Sequence, residues 1–215
     1  MGSEMCIRDR GVSGWAQIMP AGSEYLELKQ SQTADVAIIG AGFAGLSAAR
    51  RLNQLDPKCR VIVLEARRIA EGSSGRNSGF MIDVPHNLGS KDYLGTLDDD
   101  RQQISMNREA IEFANQVADE FPMPEDTFAI PGKINGAASE IGHKYNLKFA
   151  KHLDHLGERF EWLDAKTMKE TTGSDFYLSG LKIPGTAIIQ PAAYITGLPN
   201  TPLSLIHISE PTRPY

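Results

Sequence analysis

The 215-residue sequence predicts an α/β fold built around a parallel βαβ unit, and three observations carry that prediction. An apolar run, Val36-Ala37-Ile38-Ile39, follows Asp35 and enters the turn Gly40-Ala41-Gly42-Phe43-Ala44-Gly45. The turn opens onto Leu46-Ser47-Ala48-Ala49-Arg50-Arg51-Leu52, which reads as a helix. A second apolar run, Arg60-Val61-Ile62-Val63-Leu64, ends on an acid, Glu65.

Each part has a physical reason. Val36–Ile39 is short and rich in β-branched residues, suited to a strand buried on both faces. Gly40 permits a tight turn, Gly42 lets the backbone approach a pyrophosphate, and Gly45 lets the helix pack closely on the sheet. The helix N-terminus offers free N–H groups and partial positive charge to phosphates. Glu65 lies about 20 residues beyond the motif, where a carboxylate accepts both ribose hydroxyls of an adenosine. Together these predict a Rossmann-like dinucleotide site. The alternative is a βαβ unit whose glycines serve turn geometry alone.

The remaining elements follow in chain order. Residues 11–32 are rich in Gly, Ser and Gln and read as an extended arm, with Trp15 and Tyr25 pinning it to the body. Ala44–Leu55 is the phosphate-facing helix, ended by Asp56-Pro57. Glu71–Gly79 is a Gly/Ser loop holding Arg76 and Asn77. Asp98–Phe121 predicts the longest helix, with Ile104, Ile111, Ala114, Val117 and Phe121 on one face and Asp98-Asp99-Asp100 at a solvated N-terminal end. Thr127–Ala138 reads as strand, turn and strand around Pro131-Gly132. Ser139–Leu156 is a second amphipathic helix, with Ile141, Leu147, Ala150, Leu153 and Leu156 inward. Phe160–Leu163 is a short strand and Ala165–Glu170 a short helix. Phe176–Ile189 reads as strand and hairpin broken at Gly180 and Pro184-Gly185. Gln190-Pro191 then opens another helix.

The two termini are related through their codons. Codons for Gly2-Ser3-Glu4-Met5-Cys6-Ile7-Arg8-Asp9, read on the opposite strand, encode Leu203-Ser204-Leu205-Ile206-His207-Ile208-Ser209-Glu210. This inverted repeat resembles the adapter of transposon-based sequencing libraries. Residues 1–10 and 203–215 are therefore expected to be translated adapter and are left out of fold reasoning. On this expectation Leu203–Ile208 is not read as a strand, and Gly11–Pro202 is a C-terminally truncated piece of a longer gene.

Composition bounds the function. The chain holds 22 basic and 27 acidic residues, a net charge of -5, and the two excluded ends carry equal numbers of each sign. A mildly acidic chain without a basic block argues against nucleic acid or an anionic membrane as partner. Of two cysteines, Cys6 falls in the excluded end, and Cys59 alone forms no internal disulfide, which suits a reducing, cytoplasmic compartment. No run of about 18 apolar residues occurs to span a membrane. His143, His152 and His155 read as a solvated helix face, and no metal site is expected. His86, in Asp83-Val84-Pro85-His86, reads as a surface or satisfied structural residue, with an active-site role as the alternative.

A second motif, Glu71-Gly72-Ser73-Ser74-Gly75-Arg76-Asn77-Ser78-Gly79-Phe80, follows the second strand. With Gly40–Gly45 and Glu65-Ala66-Arg67 it resembles the FAD-dependent oxidoreductases of the D-amino-acid oxidase and glycine oxidase type. The resemblance implies that Gly40, Gly42, Phe43, Ala44 and Gly45 cradle the FAD pyrophosphate. It implies that Glu65 holds the adenosine ribose, with Ala66 and Arg67 at the adenine end. Gly72, Ser74, Arg76, Asn77, Ser78, Gly79 and Phe80 would line the stretch from pyrophosphate to isoalloxazine. The alternative for Arg76 is an ionic closure of its own loop, and for Ser73 and Ser74 ordinary turn chemistry.

The implied chemistry is oxidation of a small-molecule amine or amino acid by hydride transfer to flavin N5, followed by imine hydrolysis. The implied architecture is an FAD-binding domain over 33–88 and again from 190 to 202, interrupted by an α+β substrate domain over 89–189. In such enzymes the substrate anchors come largely from the second half, so no catalytic residue is nominated. The piece as written is expected to be inactive and to hold FAD poorly. An NAD-type dehydrogenase and a non-catalytic dinucleotide-binding protein are the competing readings. A nicotinamide site has no use for the Gly72–Gly79 loop.

Overall fold

The computed structural model describes residues 11–19, 26–86, 94–121, 123–198 and 204–207. The elements are α1 (Gly14–Gln17), β1 (Leu26–Glu27), β2 (Val36–Ile39), α2 (Phe43–Leu55), β3 (Val61–Glu65), β4 (Phe80–Met81), α3 (Leu97–Glu120), β5 (Phe128–Ala129) and β6 (Lys133–Ala137). They continue with α4 (Glu140–Leu156), β7 (Glu161–Asp164), α5 (Ala165–Thr172), β8 (Ser179–Ile183), β9 (Ala187–Ile189), α6 (Pro191–Gly197) and β10 (Ser204–His207). The chain divides into two compact units. The first takes the described residues of Met1–Gly79, Val117–Thr127 and Gln190–Tyr215, and the second those of Phe80–Gln116 and Phe128–Ile189.

The first unit holds a parallel sheet of order β1-β10-β3-β2. β2 and β3 run in register from Val36↔Val61 to Ile39↔Leu64, and α2 is the right-sized link between them. Val63, Leu46 and Ala49 are fully buried where helix meets sheet. The expectation that β2 is buried on both faces is corrected: its residues alternate, and Ile39 is 87 % exposed. Val36 and Ile38 are half-buried, with Ile38 toward Gly45 of α2, and Ala37 and Ile39 on the opposite face are exposed.

Two further corrections concern the ends. The arm is not wholly extended, because Ser13 Oγ accepts the Ala16 N–H at 3.1 Å and caps the short helix α1. Trp15 does pin it, as described below, whereas Tyr25 lies outside the described residues. Ser204–His207, expected not to form a strand, pairs in parallel with β3 from Ser204↔Ile62 to His207↔Glu65. With β2 on one side only, β3 leaves a row of backbone donors and acceptors open on the other, which any extended segment can satisfy.

The second unit is a bent ribbon backed by helices. β6, β8 and β7 form one antiparallel sheet and β4, β9 and β5 another. The expected hairpin over Phe176–Ile189 is therefore corrected. β8 pairs with β6 while β9 pairs with β5, so the Pro184-Gly185 turn carries the chain from one sheet to the other. The partner strand changes sheet at Pro131-Gly132. There Gly132, at φ 74°, donates to Thr186 O at 3.0 Å, and a Cβ on it would lie 2.6 Å from Ile183 O. Only glycine allows that approach.

Val84, Ile104, Phe149, Ala150, Leu153, Leu181 and Ile183 form this unit's core. The stripe expected on α3 is buried, including Ile104, Ile111, Ala114 and Val117. On α4 the expected inward residues Ile141 and Leu147 are 67 % and 43 % exposed. The buried face is Asn146, Phe149, Ala150 and Leu153, with His152 beside it, and it leaves Ile141 and Leu147 toward solvent. Asp100 and His152, each expected on a solvated face, are both buried. Asp100 Oδ2 and His152 Nε2 lie 2.7 Å apart, so each satisfies the other. His143 also departs from a solvated face: Nδ1 lies 2.9 Å from Ser179 Oγ, and its ring meets Trp162 edge-on. His155 is exposed as expected. His86 has its Nε2 3.0 Å from Lys133 Nζ and its ring on Phe149.

Candidate cofactor site

The first unit brings together the two glycine motifs. β2 ends into Gly40, whose φ of 101° sets the turn and whose N–H donates to Leu64 O at 2.7 Å. Gly42 then occupies the cap position of α2 without any side-chain capping bond. Leu46 N–H closes the first turn on Gly42 O at 3.0 Å, so the amides of Ala44 and Gly45 have no carbonyl within the helix. A Cβ on Gly45 would sit far inside contact distance of Gly40 O. This residue brings turn and helix together as the sequence predicts.

Glu65 reaches this turn from the end of β3. Its Oε2 accepts the Ala41 N–H at 2.8 Å and its Oε1 accepts the Arg67 N–H at 3.0 Å. Two bonds leave about half of a carboxylate's acceptor sites for hydroxyl groups. Ala66 and Arg67 are exposed beside it.

The second loop clasps the same turn. Ser73–Gly75 forms a single 3₁₀ turn, and Ser74 Oγ accepts the Phe43 N–H at 3.1 Å. A Cβ on Gly42 would lie 2.9 Å from that oxygen, so Gly42 is needed for the clasp as well as for any ligand. Gly75 packs where a Cβ would collide with Ala70 O, and Ala70 itself is held at φ 66°, a strained conformation for a residue with a Cβ. Arg76 Nε donates to Glu71 O at 2.6 Å, so the guanidinium closes its own loop through a backbone carbonyl. Asn77 Nδ2 donates to Ser74 O at 2.9 Å while its Oδ1 accepts the Gly79 N–H at 2.9 Å. Gly79 is itself at φ 79°. Gly72 and Ser78 are exposed, and Phe80, which opens the second unit, is 57 % exposed there.

Residues outside the two motifs also pack on the site, and of these Tyr194 and Arg50 were not singled out from the sequence as site residues. α6 packs on the 3₁₀ turn of the loop, and its Tyr194 ring lies 6.0 Å from Phe43. Burial pushes the Tyr194 phenol up to about 12, against a smaller lowering by Arg50. Gln190 Oε1 caps α6 at Ala193 N–H, 2.8 Å. Its place before Pro191 signals a helix start, but nothing local signals its second bond, to Trp15 O at 3.2 Å. Trp15 Nε1 in turn donates to Asn77 O at 2.9 Å. On the far end of α2, Arg50 is buried against Glu120.

The residues fit a dinucleotide with two phosphates. The open amides at the start of α2 supply donors for anionic oxygens, the glycines leave room for backbone approach, and Glu65 supplies acceptors for hydroxyl groups. Among the described residues no group of three or more His, Cys, Asp or Glu could hold a metal ion, and no helix is long and apolar enough to cross a membrane.

Comparison with known proteins agrees with this geometry. The Probable oxidoreductase OrdL of Haemophilus influenzae is 28% identical over 177 residues, covering 81% of this chain and 40% of its own length. The Gamma-glutamylputrescine oxidoreductase of Escherichia coli is 46% identical over 55 residues, 26% of this chain and 12% of its own. Glycine oxidase from Bacillus cereus superposes with a TM-score of 0.64 at 16% identity, over 82% of this chain and 47% of that one. An L-alpha-glycerophosphate oxidase from Mycoplasma pneumoniae with FAD bound superposes at 0.58 and 18% identity, over 83% and 45%. These two show the fold. The chain spans 40% and 44% of the length of the two OrdL relatives. A family model described as DAO, FAD dependent oxidoreductase, matches residues 35–202, and the chain belongs to that family.

Proposed function

We propose that this chain is the cofactor-holding part of an FAD-dependent oxidoreductase that oxidises an amine or an amino acid. The observation that carries the proposal is the clasp between Ser74 Oγ and the Phe43 amide, which joins the Glu71–Gly79 loop to the dinucleotide turn. A site for NAD has no need of that second loop. The substrate class is supported by the local likeness to Gamma-glutamylputrescine oxidoreductase, a likeness that includes no assignment of substrate residues.

The roles proposed for the chain's residues are these, and the geometry of the two loops supports them. The amides of Gly42, Ala44 and Gly45 hold the pyrophosphate, with Gly40 setting the turn and Phe43 fixed by the clasp. Glu65 takes the ribose hydroxyls, with Ala66 and Arg67 toward the adenine. Gly72, Ser74, Arg76, Asn77, Ser78 and Gly79 hold the loop that runs on toward the flavin ring, and Phe80 stands at its end. The chemistry that bound FAD supplies is acceptance at N5 of a hydride from the carbon bearing the amine. The chain contributes orientation and charge complementarity rather than a dedicated acid or base.

Because the chain spans under half of its relatives, we propose that it holds FAD loosely by itself and turns over no substrate alone. Two measurements test the reading. FAD titrated into the chain gives saturable quenching of flavin fluorescence that NAD does not compete away. In a protein that continues this chain to its relatives' length, anaerobic mixing with amines and amino acids bleaches the flavin absorbance. Bleaching by none of a broad panel of amines and amino acids removes the substrate class.

A further inference from the structure

We propose that residues 11–17 form a strap that belongs to the FAD site, with Trp15 as the positioning residue that holds the Glu71–Gly79 loop. The proposal rests on the FAD reading above and goes beyond the matched family domain, which starts at residue 35.

Three bonds fasten the strap. Trp15 Nε1 donates to Asn77 O at 2.9 Å, Gln190 Nε2 donates to Trp15 O at 3.2 Å, and Arg76 donates to Gly11 O. Ser13 caps the short helix that presents the indole. The orientation of Gln190 is fixed independently, because its Oε1 accepts the Ala193 N–H and its amide nitrogen must then face Trp15. Trp15 therefore bridges the loop, through its ring, and the start of α6, through its carbonyl.

The bonds continue inward. Asn77, held by Trp15 at its carbonyl, uses its side chain to bond Ser74 O and the Gly79 N–H. Ser74 in turn holds the Phe43 amide at the start of α2. The path from the strap to the dinucleotide turn is a continuous run of short bonds in one compact unit. Within the loop, Ser73, Asn77 and Ser78 are exposed, so the bond from Trp15 to Asn77 O fastens the stretch that burial leaves least held. Ordering the loop before FAD arrives removes that ordering cost from binding.

The test uses the full 215-residue chain as wild type, Trp15→Phe and Trp15→Ala. Trp15→Phe keeps a ring and removes the N–H donor. FAD titration is expected to give a dissociation constant raised about threefold to tenfold in both variants, the loss of one net hydrogen bond. Melting temperature without FAD is expected to change little, while the upward shift caused by FAD shrinks. Amide exchange at Ser78 and Gly79 is expected to speed up. In a Trp162→Phe background, where Trp15 is the one tryptophan left, FAD is expected to quench its emission. Equal FAD affinity in all three proteins, or a melting temperature lowered by the same amount with and without FAD, overturns the strap alone. A wild-type chain that takes up no FAD overturns the strap together with the proposal that this chain holds FAD by itself.

Discussion

Ser74 Oγ accepts the amide hydrogen of Phe43 at 3.1 Å, a bond across 31 residues that makes one site of two glycine motifs. Ser74→Ala leaves that N–H without its partner. The expected cost is about 1 kcal/mol of stability, with FAD affinity reduced about fivefold. Chemical denaturation and FAD titration of the same protein check both. Ser74→Thr keeps the acceptor and is expected to restore most of the affinity.

Gly45 tests the close approach of turn and helix. A methyl group there meets Gly40 O inside van der Waals contact, whereas one on Gly72 meets nothing within 4 Å. Gly45→Ala is expected to destabilise by about 1–3 kcal/mol or more and to abolish measurable FAD binding. Gly72→Ala is expected to change stability by under about 1 kcal/mol. Denaturation midpoints of the two variants, side by side, decide it.

Asp100 and His152 test the second unit. Each is buried with the other as partner at 2.7 Å. Removing either is expected to cost about 1–3 kcal/mol, because a buried polar group is left unsatisfied. The double variant Asp100→Leu with His152→Leu is expected to cost clearly less than the two single changes added together. Additive costs would show that the pair is not coupled.

Acid sensitivity is expected at His86. Burial, and then the nearby Lys133 charge, bring its pKa from 6.5 down to about 4. The unfolded chain therefore binds a proton that the folded chain refuses between about pH 6.5 and 4, and stability falls as pH drops through that window. Lys133, lowered by burial from 10.5 to about 8, adds a rise in stability between those two values at alkaline pH. His86→Phe keeps a ring on Phe149 and is expected to flatten the acid limb of melting temperature against pH. An unchanged limb would assign the sensitivity elsewhere.

What was legible in the sequence is local. Gly40, Gly45 and Glu65 announce themselves because a turn, a close approach and a strand-end acid each demand one residue type at one spacing. The buried stripe Ile104, Ile111, Ala114, Val117 follows from helical period alone. What escaped depends on distant partners. Asp100 looks like a solvated helix start until it meets His152, 52 residues on. Ile39 looks like a buried strand residue until β2 is seen to alternate, with Ile39 on the face away from α2. Pro184-Gly185 looks like a hairpin turn, and its role as a sheet crossing appears only when Gly132 is found opposite it.

The most direct test of the central claim is competitive titration of the 215-residue chain with FAD, in wild type and in Gly45→Ala. The account predicts saturable FAD binding by the wild type, undisturbed by excess NAD, and none by the variant. FAD binding that survives Gly45→Ala, or that NAD displaces, would contradict it.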